Sequence, residues 1–129
     1  MRVLVDTHAW LWMLTEPDRL PPPCRDVVGP AETEVLLSAA SAWEIAVKHA
    51  LGKLPLPEAP SSYVTSRLAA SGCTALPVEH AHALHTGHLP HHHRDPFDRL
   101  LVAQAQILGI TIVTGDRAIS AYDVGVLWD

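Results

Sequence analysis

Four acidic residues, Asp6, Glu44, Asp98 and Asp116, are spread along the chain, and each stands at or near the start of a helical stretch. Carboxylates brought to one place repel one another, by roughly 4 kcal/mol for a pair about 4 Å apart at an effective dielectric of 20. Such a group is stable only when it is protonated or bridged by cations. Hard oxygen donors without a cysteine partner select Mg2+, with Mn2+ as a substitute, over zinc. One or two such ions activate water and stabilise the leaving oxygen of a phosphodiester. The acids are therefore candidate catalytic and metal-ligating residues for phosphodiester hydrolysis.

Each acid also has a structural reading. Ser41-Ala42-Trp43-Glu44 fits a capping box, in which Glu44 reaches back to the backbone N–H of Ser41. Asp95-Pro96-Phe97-Asp98 fits an N-cap, a proline at the first helical position and an acid in the first turn. Asp6 and Asp116 can both act as simple N-caps, worth about 1 kcal/mol each. What favours the joint reading is where the elements put them.

Val3 to Val5 is a short apolar run that predicts a buried strand ending at Asp6, followed by a helix from His8 to Leu14. Pro21-Pro22-Pro23 opens a short helix to Val28. Glu34 to Leu37 predicts a second strand. A helix over 42–51 follows, with Ser41 as N-cap and Gly52 just past its end. Further helices are expected over 61–70 and 78–86, with a strand at 74–76 between them. Residues 87–94 are polar and His-rich, and predict a loop. Pro96 to Leu108 is the most helical stretch, stopped by Gly109. Strands at 110–113 and 124–127 flank a helical turn opened by Gly115-Asp116. Strands alternating with helices imply a mostly parallel sheet covered on both faces, whose carboxyl ends share one edge. Ligands of such sheets bind along that edge. Asp6 and Asp116 fall there directly, and Glu44 follows the second strand.

The 129 residues suit one domain, and a 48% hydrophobic content supports a packed core. Cys24 and Cys73 lie outside any CxxC or Cys/His spacing, which argues against a disulfide scaffold or structural zinc and fits a reducing cytoplasm. No apolar run reaches the length of a membrane span. The net charge of −5 counts against a phosphate-binding protein, but bound cations would reverse the local sign, and nine histidines add charge at mildly acid pH.

The segments LVDTHAWLW at 4–12, SAASAWEIAVKHALGKL at 38–54, HRDPFDRLLVAQAQ at 93–106 and TIVTGDRAI at 111–119 resemble the PIN-domain ribonucleases, specifically the VapC toxins of bacterial toxin–antitoxin pairs. The resemblance runs in family order and spacing, and is weak over 15–37 and 55–90. It implies a three-layer α/β/α sandwich around a mostly parallel sheet of four to five strands, filling residues 1–129. It further implies an Mg2+-dependent endoribonuclease acting on RNA, a homodimer, a cognate antitoxin and assembly into larger toxin–antitoxin complexes. Within the motifs Asp6, Glu44, Asp98 and Asp116 match the four acidic positions, the last being the one most often altered among relatives. Asp95 matches the first acid of the DPFD element.

Thr7 and Thr114 flank two of the acids, and their hydroxyls can orient carboxylates or a bound water, or simply serve a turn. Lys48 is placed to bind a substrate phosphate or to pair with Glu44 across one helical turn. Arg94 and Arg99 can contact RNA phosphates, or be solvated or dimer contacts. Trp10, Trp12 and Trp43 offer base stacking or packing. His91-His92-His93 is expected to be a solvated loop. It also supplies the competing function, a non-catalytic divalent-metal-binding protein that uses this tract. A receiver-like phospho-acceptor domain is a weaker competitor, because Lys48 and Lys53 are the only lysines and both lie in the first half.

Overall fold

The computed structural model describes residues 1–129. Five short strands carry the fold: β1 (Arg2–Val5), β2 (Glu34–Ser38), β3 (Thr74–Leu76), β4 (Thr111–Val113) and β5 (Val126–Leu127). They are hydrogen-bonded in the order β3-β2-β1-β4-β5, and every pair is parallel. The chain starts in the middle, winds outward through β2 and β3, then returns to lay β4 against the other side of β1. Strand order therefore reverses between β1 and β4, and all five carboxyl ends share one edge. Crevices at such a reversal are where open α/β sheets hold ligands.

Seven helices cover the sheet: α1 (Thr7–Thr15), α2 (Pro22–Val28), α3 (Ala39–Ala50), α4 (Pro60–Ser71), α5 (His80–His85), α6 (Pro96–Leu108) and α7 (Arg117–Ser120). Alternate strand residues face opposite layers. Val3, Val5, Val35, Leu37 and Val113 pack with Trp10, Leu20, Ile45, Tyr63 and Val64 from α1, α3, α4 and the segment before α2. Leu4, Leu36 and Ile112 pack on the other side with Leu101, Val102, Ala105 and Ile119 from α6 and α7. The expected three-layer α/β/α sandwich is what forms, with five strands and none antiparallel. No helix is long and apolar enough to cross a membrane.

Several expected boundaries shift. The α3 helix begins at Ala39, not Ala42, and its N-cap is Ser38, whose hydroxyl accepts the Ala40 N–H at 3.0 Å. Ser41 is thus buried inside the helix, and the capping box with Glu44 does not exist. The helix expected over 78–86 is shorter, His80–His85, and passes into a 3-10 turn over Thr86–His88. A further 3-10 turn at Pro17–Arg19 was not anticipated. By contrast α6 has the expected bounds, set by the Asp95 cap, Pro96 in the first turn and Gly109 in the left-handed conformation at φ 67°.

Leu4 lies in the central strand with no exposed surface. Leu4→Ala should cost about 2–5 kcal/mol in urea denaturation, because the cavity opens between two packed layers. Leu84→Ala, at a site 73% exposed, should change stability by no more than about 0.5 kcal/mol.

Candidate functional site

At the carboxyl edge, beside the β1–β4 reversal, lies a cleft lined by Asp6, Glu44, Lys48, His93, Asp95, Asp98 and Asp116, with His8, Trp12, Gly115 and Trp128 on its walls. All four sequence-predicted acids are therefore in one place, delivered by four separate elements. Each arrives by a different local device.

Asp6 ends β1 and caps α1, its Oδ1 accepting the Ala9 N–H at 2.7 Å. The cap and the cleft position coexist. Burial pushes the Asp6 carboxyl up from its ordinary range, although the Thr114 hydroxyl and the Ala9 N–H draw it partly back.

Glu44 lies in the second turn of α3 and is 2% exposed. Its Oε1 accepts the Thr7 hydroxyl at 2.6 Å, and its Oε2 pairs with Lys48 one turn later. Burial pulls the Lys48 ammonium down, but Glu44, Asp95 and Asp98 more than offset this and hold it above its usual range. Thr7 and Lys48 thus serve Glu44, and the i,i+4 pair is the contact Lys48 makes.

Asp95 caps α6 through Phe97 N–H at 2.8 Å and Asp98 N–H at 3.3 Å, while still facing the cleft. That cap turns Asp98, in the first turn, toward the other acids. Burial, with Asp95 and Glu44 nearby, pushes the Asp98 carboxyl up to about 7, and His93 only partly counters them. Asp116 caps α7 through Ala118 N–H at 2.8 Å. Burial works against its charge, yet the His93 hydrogen bond and the Ala118 N–H hold it below the ordinary carboxylate range. The Thr114 hydroxyl accepts the Asp116 N–H at 3.0 Å and so sets the turn.

The histidine tract does not gather around one ion. His91 and His92 are exposed, and His92 packs edge-on against Tyr122. Only His93 turns inward, its Nε2 lying 3.0 Å from Asp98 Oδ2 and 2.9 Å from Asp116 Oδ2. Sequence reasoning gave this residue no part in the acidic site. The one signal was its place two residues ahead of the Asp95 cap, which fixes the chain direction. Arg99 does not reach the cleft. Its guanidinium donates to Thr86 O, Pro90 O and the Tyr122 hydroxyl, bracing the loop that carries His93. Trp10 is fully buried in the core and Trp43 is exposed, packed edge-on against Phe97.

The donor set suits a hard divalent cation. Carboxylate oxygens predominate and no thiolate is near, and atoms of His93, Asp98 and Asp116 lie within 4.8 Å of one another. A carboxyl held near neutrality among other carboxylates marks a place short of positive charge.

Comparison with known proteins bears on what this cleft belongs to. Over 61 residues the chain is 51% identical to a protein named Ribonuclease VapC16 from Mycobacterium tuberculosis, a match covering 47% of this chain and 43% of that protein. The match therefore spans less than half the length of that relative. Among solved structures, VapBC2 from Rickettsia felis bound to a promoter DNA fragment superimposes with a TM-score of 0.72 at 14% identity over the whole of both chains. DNA-bound VapBC from Salmonella typhimurium gives a TM-score of 0.71 at 17% identity, covering 98% of this chain and 97% of that one. At such identities these two show a shared fold. The family model described as PIN domain matches residues 3–125, nearly the whole chain, and the protein belongs to that family.

Proposed function

We propose that this protein is an Mg2+-dependent endoribonuclease, and that it is the toxin of a VapBC-type toxin–antitoxin pair. The observation that carries the reading is the convergence of Asp6, Glu44, Asp98 and Asp116 on one cleft at the strand reversal. The named ribonuclease relative supports RNA as the substrate, and the VapBC neighbours support an antitoxin partner. A homodimer and larger toxin–antitoxin assemblies belong to the same proposal.

A hard divalent cation, Mg2+ or Mn2+, would when bound supply an acidified water and counter-charge for the leaving oxygen. Asp6, Asp98 and Asp116 would hold it through their carboxylate oxygens. Glu44, with both oxygens engaged by Thr7 and Lys48, contributes fixed negative charge and orientation. Asp116 is the most exposed of the four and faces the open side, which suits contact through water or a second ion. Hydrolysis proceeds by direct attack of water on phosphorus, with no covalent enzyme intermediate. Cys24 Sγ is engaged by the Trp128 carbonyl at 2.9 Å, and neither cysteine lines the cleft.

Asp98→Asn keeps the shape of the side chain and removes its charge. RNA cleavage in Mg2+ should fall by at least about a hundredfold. The metal-free variant should melt about 3 °C or more above the parent at pH 8, a gain of about 1 kcal/mol from relieved repulsion. Full cleavage by folded Asp98→Asn and Glu44→Gln proteins would end the catalytic reading.

Stability should depend on pH in an unusual sense. With the Asp98 carboxyl raised to about 7, the native state binds its proton more tightly than the unfolded chain does. The metal-free protein should therefore lose stability as pH rises from about 4 to about 7. Asp6 acts in the same direction, while Asp116, with a lowered value, loses its contribution only at more acid pH. Adding Mg2+ should raise the melting temperature more at pH 8 than at pH 5.5. Equal shifts at both pH values would contradict ion binding at these carboxylates.

Expression of the protein alone should arrest bacterial growth, and co-expression with a small reading frame directly upstream should restore it. Growth unaffected by the toxin alone would count against the toxin reading.

A further inference from the structure

The cleft contains one inward-facing imidazole from the histidine tract, and its hydrogen bonds fix which nitrogen carries the proton. His93 Nδ1 lies 3.1 Å from the backbone nitrogen of Asp95, which donates to it. A ring nitrogen that accepts has no proton of its own, so neutral His93 carries its proton on Nε2. That Nε2–H donates to Asp116 Oδ2 at 2.9 Å, and Asp98 Oδ2 lies 3.0 Å from the same nitrogen. The opposite tautomer would set Nδ1–H against the Asp95 N–H and leave Asp116 Oδ2 without this donor.

This pattern is the reverse of a metal-bound histidine. A ligating imidazole offers one nitrogen's lone pair to the ion and donates the other N–H to a carboxylate or carbonyl. In His93 the outer nitrogen accepts, and the nitrogen nearest the acids donates. The ring is also held from behind: its backbone N–H donates to the Tyr122 hydroxyl at 3.0 Å, and Arg99 donates to the same hydroxyl at 3.1 Å. The imidazole is thus fixed in place, 17% exposed, with its single donor on Asp116 and with Asp98 in contact with the same nitrogen.

We propose that His93 is a positioning residue: its Nε2, hydrogen-bonded to Asp116 and in contact with Asp98, sets the spacing of the two carboxylates for a hard divalent ion, without ligating that ion. The inference rests on the reading that these acids hold the cation. Each carboxylate oxygen has more than one lone-pair direction, so a shared N–H leaves others for the ion. Without the bridge, two carboxylates carried by α6 and by the turn before α7 would have only mutual repulsion between them.

The test compares His93→Ala, His93→Gln and Asp98→Asn with the parent, with folding checked by thermal melts. Mn2+ affinity is measured without RNA, by calorimetry or electron paramagnetic resonance. His93→Ala should weaken Mn2+ binding about tenfold, and His93→Gln, whose amide N–H reaches the Nε2 position, should recover to within about threefold of the parent. In long-range 1H–15N spectra at saturating Mg2+, His93 should keep its proton on Nε2. Unchanged or tighter Mn2+ binding by His93→Ala would overturn the proposal, since the N–H would then be idle or a competitor. Loss of the Nε2 proton on adding Mg2+ would overturn it too, by making the ring a ligand. Asp98→Asn separates the two layers of argument. If that variant binds Mn2+ like the parent, the cation-site reading itself fails. If it loses binding while His93→Ala does not, only the positioning role fails.

Discussion

Negative charge held out of water at the carboxyl edge of the sheet is the constraint around which the rest of the molecule is arranged. Every carboxylate in the cleft raises the cost of its neighbours, and burial weakens the solvent screening that would relieve them. Asp6 is answered by the start of α1, and Glu44 by Thr7 and Lys48. Asp116 is answered by His93 and the start of α7. Asp98 has only the His93 ring nitrogen close by, and burial with Asp95 and Glu44 beside it lifts its carboxyl to about 7. The cleft gathers five carboxylates around one ammonium, that of Lys48, which is the condition in which a proton and a divalent ion compete for the same oxygens.

The scaffold makes that charge density tolerable because no two of the four acids share an element. An all-parallel sheet brings the chain back to the same edge after every helix, so residues far apart in sequence meet without a long loop among them. Close packing then fixes the geometry. The Trp128 indole lies against Gly115, where a Cβ would come within 2.8 Å of the ring. Backbone at the turn before Asp116 can follow its present path only because that residue has no side chain. The Cys24 thiol meets the Trp128 carbonyl, which ties the chain just past β5 to α2.

Much of this was legible in the residues, and the failures have physical causes. The α6 helix carries unambiguous punctuation at both ends, Asp95-Pro96 and Gly109, and its expected limits match the structure. The start of α3 was misread because Ser38-Ala39-Ala40-Ser41 offers two caps three residues apart. Local chemistry cannot choose between them, but the end of β2 does. The capping box was a local explanation for a residue whose actual partner, Thr7, is 37 positions away. His93 was obscured by two identical neighbours. The Asp95 N–H and the Tyr122 hydroxyl, not any property of the tract itself, turn one ring inward. Arg99 adjoins Asp98, and its sequence position left a phosphate contact, a solvated role or a dimer contact open. Successive helical residues face different directions, so adjacency on α6 places it on the loop instead.

The pairing of β1 with β4 also dictates when the cleft can exist. Val5 hydrogen-bonds alongside Val113, so the two strands that flank the site are made about ten seconds apart at ordinary rates of synthesis. Until β4 emerges, one edge of β1 is open, Asp116 and its turn are missing, and three acids have no fourth wall to meet. Joining partners so distant in the chain is also slow in its own right, because a long loop must close before any contact rewards it. Whatever the cleft does, it cannot begin doing it on the ribosome that is still making residues 1–110. The topology postpones the chemistry until β4 and the turn that carries Asp116 have joined the sheet.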